Sequence, residues 1–418
     1  MTRDELGRAV LRGVRRVLSG EPGAAFAFAP VRRDGFPAMA GATDFYVHVP
    51  YCRKRCAHCP YNTKPLDAAE TPRFYAALRE EARRAAAAGA TAEGRSLYVG
   101  GGTPTCTGGE LVRFLRNFAA ICGRPRSIAV ETSPEELDES TLRGLREAGV
   151  TQLSVGIQSF SEHVLKSLGR RGKAKEYATR LAAAVAAGFP NVNADLMHDA
   201  DTGSLADLGD DIAQALAAGV DQVTVYPLFR FFRGKGVEMP GMRARRRFCE
   251  FVRQKMEATG FRPVSVWSFR REGAGGDAFS SVQRRQFVGL GPGAATSLEG
   301  LFAFNTFDTT AWMERVEAGR CAHSLEMPLS PNLRACYDLY WDLYALRLPR
   351  ELPPVLKRRR LLGALAAFAR GCGFARGETL TERGARWIHW LQNLCVLDYI
   401  DRMWTHSKAT PFPPGIQL

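Results

Sequence analysis

Three cysteines within eight residues are the part of the sequence best suited to chemistry. Cys52, Cys56 and Cys59 follow a C-x3-C-x2-C spacing. A structural zinc site usually takes four protein ligands, whereas three thiolates in a tight loop suit a cubane iron–sulfur cluster with one iron open to a small molecule. The spacing therefore favours a cluster. Two other interpretations stay open here: a zinc site with a distant fourth ligand, and reduced cysteines that bind nothing.

Glycine and polar residues recur where predicted strands end. An alternating segment at 46–50 runs into the cysteine loop, and a glycine run follows the next apolar strand. The residues at or after these strand ends are Gly100, Gly101, Gly102, Thr103, Glu131, Gln158 and Asp195. Glycine lets backbone amides approach a ligand closely, and barrel enzymes keep their active sites at the carboxyl ends of strands. We therefore expect one site at this edge.

The elements that must position these residues alternate between strand and helix patterns. Strands centre on 44–49, 96–99, 127–131, 152–156, 191–196 and 222–226, and helices fill 70–89, 109–121, 135–148, 161–187 and 204–218. Repeated units of this kind imply a parallel sheet with right-handed crossovers. The prediction is an α/β fold: a partial (β/α)6 TIM-like barrel with a lateral gap for a bulky substrate.

Three regions are predicted along the chain. Residues 1–43 form an N-terminal extension, 44–310 form the barrel with the short strands that follow it, and 311–418 form a small, mainly helical C-terminal domain. No stretch approaches the roughly 20 apolar residues of a membrane span, and the first residues lack the apolar core of a signal peptide. A cytoplasmic location is expected.

Five segments carry a resemblance to a known family. The cysteine loop, GGGTPT, VETSP, SVGIQSF and GRRG occur in the order seen in HemN-like radical S-adenosylmethionine (SAM) enzymes. The resemblance covers roughly residues 44–300. The group includes an oxygen-independent coproporphyrinogen dehydrogenase, a haem chaperone, and the class C radical SAM methyltransferases and cyclopropane-forming enzymes. The chain looks most like the class C members.

The resemblance implies a [4Fe-4S] cluster on Cys52, Cys56 and Cys59, with SAM on the fourth iron. Reductive cleavage of SAM would give a 5′-deoxyadenosyl radical. The positions that match family contacts to this SAM are Tyr46, Gly100, Gly101, Gly102, Thr103, Glu131, Gln158, Arg170 and Asp195. Arg171 is adjacent, so the arginine assignment could shift by one. Phe229 and Ala295 fall near the second SAM of class C relatives.

Departures from the family pattern lie around the expected substrate mouth. His58 replaces the usual aromatic between the last two cysteines, and His198 lies in a changed segment after the fifth strand. These changes favour a specialised metabolite, methylated or cyclopropanated at an sp2 carbon with a second SAM as methylene donor. The alternatives are a coproporphyrinogen dehydrogenase-like or anaerobic haem-degrading enzyme, or a haem chaperone. His58 and His198 are candidate proton-transfer residues, or simply packed histidines.

Charge leaves the choice of partner open. The chain carries 57 basic and 43 acidic residues, a net charge of +14. The denser basic runs are not interleaved with stacking aromatics, so nucleic acid is an unlikely partner. A basic surface also suits an acidic, low-potential electron donor such as flavodoxin or ferredoxin. We expect a small-molecule substrate and a monomer. The seven remaining cysteines are scattered singly and are interpreted as packing residues.

Overall fold

The computed structural model describes residues 13–21, 26–56, 59–170, 173–198, 203–231, 237–238, 241–276 and 285–418. The strands are β1 Ala27–Pro30, β2 Gly41–Ala42, β3 Asp44–Val49, β4 Tyr51–Cys52, β5 Lys64–Pro65, β6 Ala90–Thr91, β7 Ser96–Gly101, β8 Ser127–Thr132, β9 Gln152–Gln158, β10 Asn191–His198, β11 Gln222–Pro227, β12 Arg230–Phe231, β13 Val237–Glu238, β14 Phe261–Pro263, β15 Ser268–Arg271, β16 Phe287–Leu290, β17 Ala295–Leu298, β18 Leu301–Asn305, β19 His323–Pro328, β20 Ala375–Arg376, β21 Thr379–Leu380 and β22 Ile416–Gln417.

The helices lie between and after these strands. They are α1 Thr71–Ala87, α2 Gly109–Cys122, α3 Glu139–Glu147, α4 Glu162–Ser167, α5 Ala174–Ala186, α6 Leu205–Ala217, α7 Met242–Glu257, α8 Thr309–Glu317, α9 Pro331–Tyr344, α10 Arg359–Gly371 and α11 Glu382–Ser407. Residues 13–19 are also helical. No helix in the described ranges is long and apolar enough to cross a membrane.

One large sheet organises the molecule. Its 14 strands run in the order β14-β15-β11-β10-β9-β8-β7-β3-β16-β17-β18-β19-β1-β22. The six predicted strands are present as neighbours in chain order, and all of them pair in parallel. The α/β fold with a mainly parallel sheet is therefore confirmed. β16, one of the short strands predicted after the barrel strands, pairs in parallel beside β3 as a seventh parallel strand.

Antiparallel strands extend the parallel region at both edges. β15 pairs with β11 at one edge, and β17, β18 and β19 follow β16 at the other. β1 lies between β19 and β22, so the N-terminal segment and the last strand join the same sheet. The boundaries proposed at residues 43 and 310 stay predictions. The helical C-terminal region is present as α9, α10 and α11.

Strand alternation separates packing residues from site residues. Phe45 and Val47 of β3 are fully buried, and the Phe45 ring meets Phe118 of α2 at 5.3 Å between centroids. The neighbours of Phe45 and Val47 on the strand, Tyr46 and His48, point to the opposite face because successive side chains alternate. The helices thus cover one face of the sheet and leave the other free for chemistry.

The predicted helix over 161–187 is two helices. α4 ends at Ser167 and α5 begins at Ala174, with Gly169 at a φ of 73° between them. Glycine adopts this left-handed conformation without the penalty of a Cβ atom. The helical pattern in the sequence continues through this segment, but the break is what brings Arg170 to the face that the helices leave free.

Candidate active site

A large cavity lies on the uncovered face of the parallel strands. Its volume is about 910 Å³. Successive strands supply one or two polar residues each: Tyr98, Glu131, Ser154 with Gln158, Asp195 and Thr224. Glu131 and Gln158, two of the residues that the sequence predicted for a barrel active site, lie at or next to the carboxyl ends of β8 and β9, and the other residues lie further back along their strands.

The three predicted cluster cysteines line this cavity together. All three are free thiols; Cys52 is buried at 8% exposure, and Cys56 and Cys59 are half-buried. A backbone hydrogen bond from Cys59 N to Cys56 O, 3.2 Å long, closes the turn. Burial and, to a smaller extent, the neighbouring thiols raise the pKa of Cys52 to about 11. Three thiolates at one place therefore need a bound cation to compensate their charge.

The donor set fits a cluster better than a single ion. Within the described ranges, no three His, Cys, Asp or Glu side chains are arranged to hold one metal ion. A cubane spreads its thiolate ligands around a larger body, and three thiols that face one cavity match this requirement. A zinc site would need a fourth protein ligand, and no side chain among the described residues joins the cysteines as one. His58 lies outside the described residues.

The glycine run is packed against the cysteine strand. Gly102 N donates to Val49 O at 2.8 Å, and Thr103 N donates to Tyr51 O at 2.7 Å. A Cβ atom on Gly102 would lie 2.4 Å from the Tyr51 carbonyl oxygen. Gly101, Gly102 and Thr103 line the cavity, whereas Gly100 is not among its described lining residues. Close contact within the protein itself is thus one reason for these glycines, in addition to the expected approach of a ligand.

Glu131 is held in place by two donors. The Tyr98 hydroxyl donates to one carboxylate oxygen, and Gly101 N donates to the other at 3.2 Å. A carboxylate fixed in this way at the cavity wall can accept a further hydrogen bond from a ligand.

Gln158 and Arg170 bring unpartnered polar atoms to the cavity. Gln158 is 6% exposed and its Oε1 has no hydrogen-bond partner, and Arg170 Nε is likewise buried and without one. Arg170 Nη1 lies 3.5 Å from Glu135. Gln158 also has a φ of 71°, a conformation that costs a non-glycine residue energy and recurs at functional sites. Such buried polar atoms fit a polar ligand such as the amino acid moiety of SAM.

Asp195 is enclosed by hydrogen-bond donors at the cavity wall. Ser154 Oγ donates to it at 2.7 Å, and Asn193 Nδ2 at 2.9 Å. Enclosure away from water raises the pKa of Asp195 to about 7. Near neutral pH this carboxyl group can therefore either accept hydrogen bonds as a carboxylate or donate one as an acid.

Tyr46 and the histidine two residues later form a pair that the sequence did not single out. The Tyr46 hydroxyl lies 2.8 Å from His48 Nδ1, and His48 Nε2 lies 2.8 Å from the Asn62 carbonyl oxygen. Because a carbonyl only accepts, Nε2 carries the proton and Nδ1 accepts from Tyr46. Burial lowers the pKa of His48 to about 4, so the ring stays neutral. Tyr46 is not among the described cavity-lining residues.

The remaining candidates divide between the cavity and the packed core. Phe229 lines the cavity, and so does Met197. Ala295 opens β17 and is not among the described lining residues. His198 stacks on Phe248 with ring centroids 5.3 Å apart and an interplanar angle of 12°. This contact matches the packed interpretation of His198 rather than a proton-transfer role.

Aromatic residues from separate elements line a second part of the cavity, and Tyr61, two residues after Cys59, belongs to it. This aromatic wall consists of Tyr61, Tyr226, Phe229, Phe231, Trp267, Tyr340, Trp341, Tyr344 and Trp404. The Trp404 ring lies 5.7 Å from that of Tyr61 and 6.5 Å from that of Phe231. α9 and α11 supply four of these residues, so the helical region covers the site. Sequence reasoning missed most of the wall because its members lie on separate elements.

Comparisons with known proteins agree with this geometry. The Radical SAM superfamily model matches residues 46–212. The haem chaperone HemW of Mycobacterium tuberculosis is 32% identical over 288 residues, covering 64% of this chain and 73% of that protein. An oxygen-independent coproporphyrinogen III oxidase of Paracoccus denitrificans is 28% identical over 321 residues, covering 70% of each. The chain belongs to the HemN-like radical SAM family.

A solved structure shows the same fold. The HemN coproporphyrinogen III oxidase of Escherichia coli matches with a TM-score of 0.66 at 19% identity, over 94% of this chain and 93% of that one. Membership of the radical SAM superfamily implies a [4Fe-4S] cluster and SAM for this chain. The expected class C subtype and the second SAM gain no support from these relatives.

Proposed function

We propose that this HemN-like radical SAM enzyme binds a tetrapyrrole, either haem or a porphyrinogen, and generates its radical beside it. The observation that carries the proposal is the continuous cavity from the cysteine loop to the aromatic wall. Its volume of about 910 Å³ lies near the top of the range for small-molecule sites, roughly 300–1,000 Å³. A site this large has room for a bulky substrate next to SAM.

The composition of the aromatic wall supports a flat, conjugated ligand. Trp267, Tyr340, Trp341, Tyr344 and Trp404 offer apolar ring faces together with polar Tyr and Trp edges. Such rings stack on planar ligands and keep water away from them. The names of the HemW and coproporphyrinogen oxidase relatives refer to haem and a porphyrinogen, and this supports the same ligand class.

The residues near the cysteines have separate roles in this proposal. Cys52, Cys56 and Cys59 would hold the cluster. When both are bound, the cluster and SAM would supply a 5′-deoxyadenosyl radical that abstracts a hydrogen atom. Gln158 and Arg170 would bind polar groups of SAM through their unpartnered atoms. The aromatic wall excludes water, which would otherwise compete with these contacts.

An acidic low-potential electron donor such as flavodoxin or ferredoxin is part of the proposal. The cavity is also lined by Arg53, Lys54 and Arg55, which lie between the first two cysteines in the sequence. Arg53 pairs with Glu136 at 2.7 Å, whereas Arg55 Nη2 contacts only the Cys59 carbonyl oxygen, at 3.4 Å, among its described hydrogen bonds. Positive charge close to the cluster would speed the encounter with an acidic donor.

The test uses the reconstituted protein under strict anaerobiosis. Haem binding is followed by absorbance, and coproporphyrinogen III is offered with SAM and a reductant while 5′-deoxyadenosine is measured. Stoichiometric haem binding without turnover would indicate a chaperone, and decarboxylated porphyrinogen would indicate an oxidase. A protein that binds neither compound, although it cleaves SAM, contradicts the tetrapyrrole proposal.

Methylene transfer from a second SAM is the second candidate function. The observation in its favour is Phe229, which lines the cavity beyond the strand-end residues. Methylation or cyclopropanation should consume SAM to both 5′-deoxyadenosine and S-adenosylhomocysteine. If only 5′-deoxyadenosine forms with every acceptor tested, this candidate is wrong.

A further inference from the structure

Two cations contact successive backbone carbonyl groups at the last cysteine of the loop. Arg55 Nη2 donates to Cys59 O at 3.4 Å. Lys408 Nζ donates to Pro60 O at 3.3 Å and to Tyr61 O at 3.2 Å. The carbonyl and the N–H of a trans peptide group point in opposite directions. The Tyr61 N–H shares its peptide group with Pro60 O, so it faces away from the ammonium group.

The sulfur of Cys59 accepts this N–H. Burial raises the pKa of the Cys59 thiol, whereas a hydrogen bond from the Tyr61 N–H and the charges of Arg55 and Lys408 oppose this rise. The ammonium group, the Pro60–Tyr61 peptide and the sulfur therefore form one chain of aligned dipoles. Hydrogen bonds in such a chain polarise one another.

The sulfur of Cys52 has a different hydrogen-bond donor. Thr103 Oγ1 lies 3.6 Å from Cys52 Sγ. A thiolate only accepts hydrogen bonds, so the hydroxyl donates once Cys52 is a ligand. Among the described hydrogen bonds, none joins the Thr103 hydroxyl to a cation. Cys59 thus differs from Cys52 in having a positive charge directly behind its donor.

The Pro60–Tyr61 peptide is held in this orientation by its neighbours. The ring of Pro60 fixes the φ angle on one side. On the other side, Asn62 O accepts from His48 Nε2 at 2.8 Å, and Asn62 Nδ2 donates to Phe307 O at 2.8 Å. The peptide therefore keeps its carbonyl toward Lys408 and its N–H toward the sulfur.

The end of α11 brings Lys408 to the cysteine loop. Lys408 is the residue that follows the last turn of this helix. One turn earlier, the Trp404 ring lies 5.7 Å from the Tyr61 ring and 5.9 Å from the ammonium group. The Thr306 hydroxyl donates to Pro411 O and ties down the segment that follows. The helical region thus supplies a charge to the loop as well as rings to the cavity.

We infer that Lys408 is a positioning residue for radical formation: it orients the Pro60–Tyr61 peptide toward the Cys59 sulfur and raises the reduction potential of the bound cluster. In the reduction step, the low-potential donor loses one electron and the cluster gains it, with no bond made and no proton moved. Positive charge and hydrogen bonds at a ligand sulfur favour the more negative, reduced state. The inference concerns the cluster and does not depend on the tetrapyrrole proposal.

The experiment compares the reduction potential of the cluster in the native protein, Lys408→Met, Lys408→Gln and Lys408→Arg. Each reconstituted protein is titrated anaerobically with titanium(III) citrate and mediators, and the EPR signal of the reduced cluster is followed. Lys408 is exposed, so water screens part of its charge. We expect both neutral variants to lower the equilibrium constant for reduction about fivefold, which is about 40 mV for one electron. Lys408→Arg keeps the charge and should stay near the native potential.

Controls separate the charge at the loop from folding and from overall charge. Lys175→Met removes an exposed lysine of α5 and should leave the potential unchanged. Thermal unfolding checks the fold of each variant, and iron content gives the loaded fraction, whose potential is measured even where loading is incomplete. An unchanged potential in both neutral variants overturns the inference, as does an equal fall in Lys408→Arg or Lys175→Met. No tetrapyrrole is present, so these outcomes are distinct from a failure of the proposed function.

Discussion

The two ends of the cavity are built in different ways. At the cysteine end, Cys52, Thr103, Glu131 and Gln158 lie at or just after the ends of neighbouring parallel strands. The order of these strands in the sheet therefore brings them together. At the aromatic wall, residues from β11, β12, loops, α9 and α11 meet through tertiary packing. Local sequence and sheet topology thus specify where the cysteines and the candidate SAM contacts meet, whereas the proposed tetrapyrrole site depends on how the helical region docks.

The largest effect is expected at the cysteine end. Replacing Cys52, Cys56 or Cys59 with alanine removes a cluster ligand, and SAM cleavage should fall at least about a thousandfold because the electron source is lost. Iron content and 5′-deoxyadenosine report the result. Cys372→Ala is the control, since this thiol is exposed. Full SAM cleavage by the three cysteine variants would contradict the assignment of radical formation to the cysteine end.

Gly102→Ala should be the most damaging glycine substitution at this end. Its Cβ would lie 2.4 Å from the Tyr51 carbonyl oxygen, and the backbone cannot easily yield there. We expect about 3 kcal/mol lower stability, measured by denaturant unfolding. Gly109→Ala, whose Cβ meets nothing within 4 Å, is the matched control. Similar losses in both variants would contradict the close-packing account.

Asp195 should make stability depend on pH. Its pKa is raised in the folded state to about 7 from an ordinary 3.8, so the folded protein binds more protons between these values. Stability should therefore decrease as pH rises from about 4 to 7, by on the order of 2 kcal/mol after solvent screening at the cavity wall. Asp195→Asn should flatten this part of the curve. Urea unfolding of the native protein and the variant across this pH range gives the slope of stability against pH for each. Parallel curves would refute the prediction.

The smallest effect tests the aromatic end by itself. Trp404→Ala removes one ring of the wall and should weaken tetrapyrrole binding about tenfold, while substrate-independent SAM cleavage stays unchanged. The control is Trp387→Ala. Trp387 lies on the same helix, α11, and is 46% exposed, so its loss should change neither tetrapyrrole binding nor SAM cleavage. A Trp404 variant that loses SAM cleavage as well would show that the two ends do not act separately.

Strand-end positions can be counted along the chain, so the sequence named Glu131, Gln158 and Asp195 as site candidates, and the structure brings all three to one cavity. The sequence also predicted the alternation of strands and helices, but joined α4 and α5 because nothing in the helical period marks Gly169 as a break. Tyr340 and Trp404 could not be placed at the site, because no spacing relates α9 and α11 before they pack. The sequence assigns the glycines at 100–102 to ligand contact, although at Gly102 the carbonyl group of Tyr51 also leaves no room for a Cβ atom.

The position of β1 has a consequence for how the chain is made. This strand leaves the ribosome long before β19 and β22, the two strands between which it pairs. During this interval its backbone donors and acceptors have no partner in the sheet, as in an unpaired edge strand that other chains can join. Because of this order of synthesis, the edge of the sheet that contains β1 forms last. Incorrect strand pairing is expected there first.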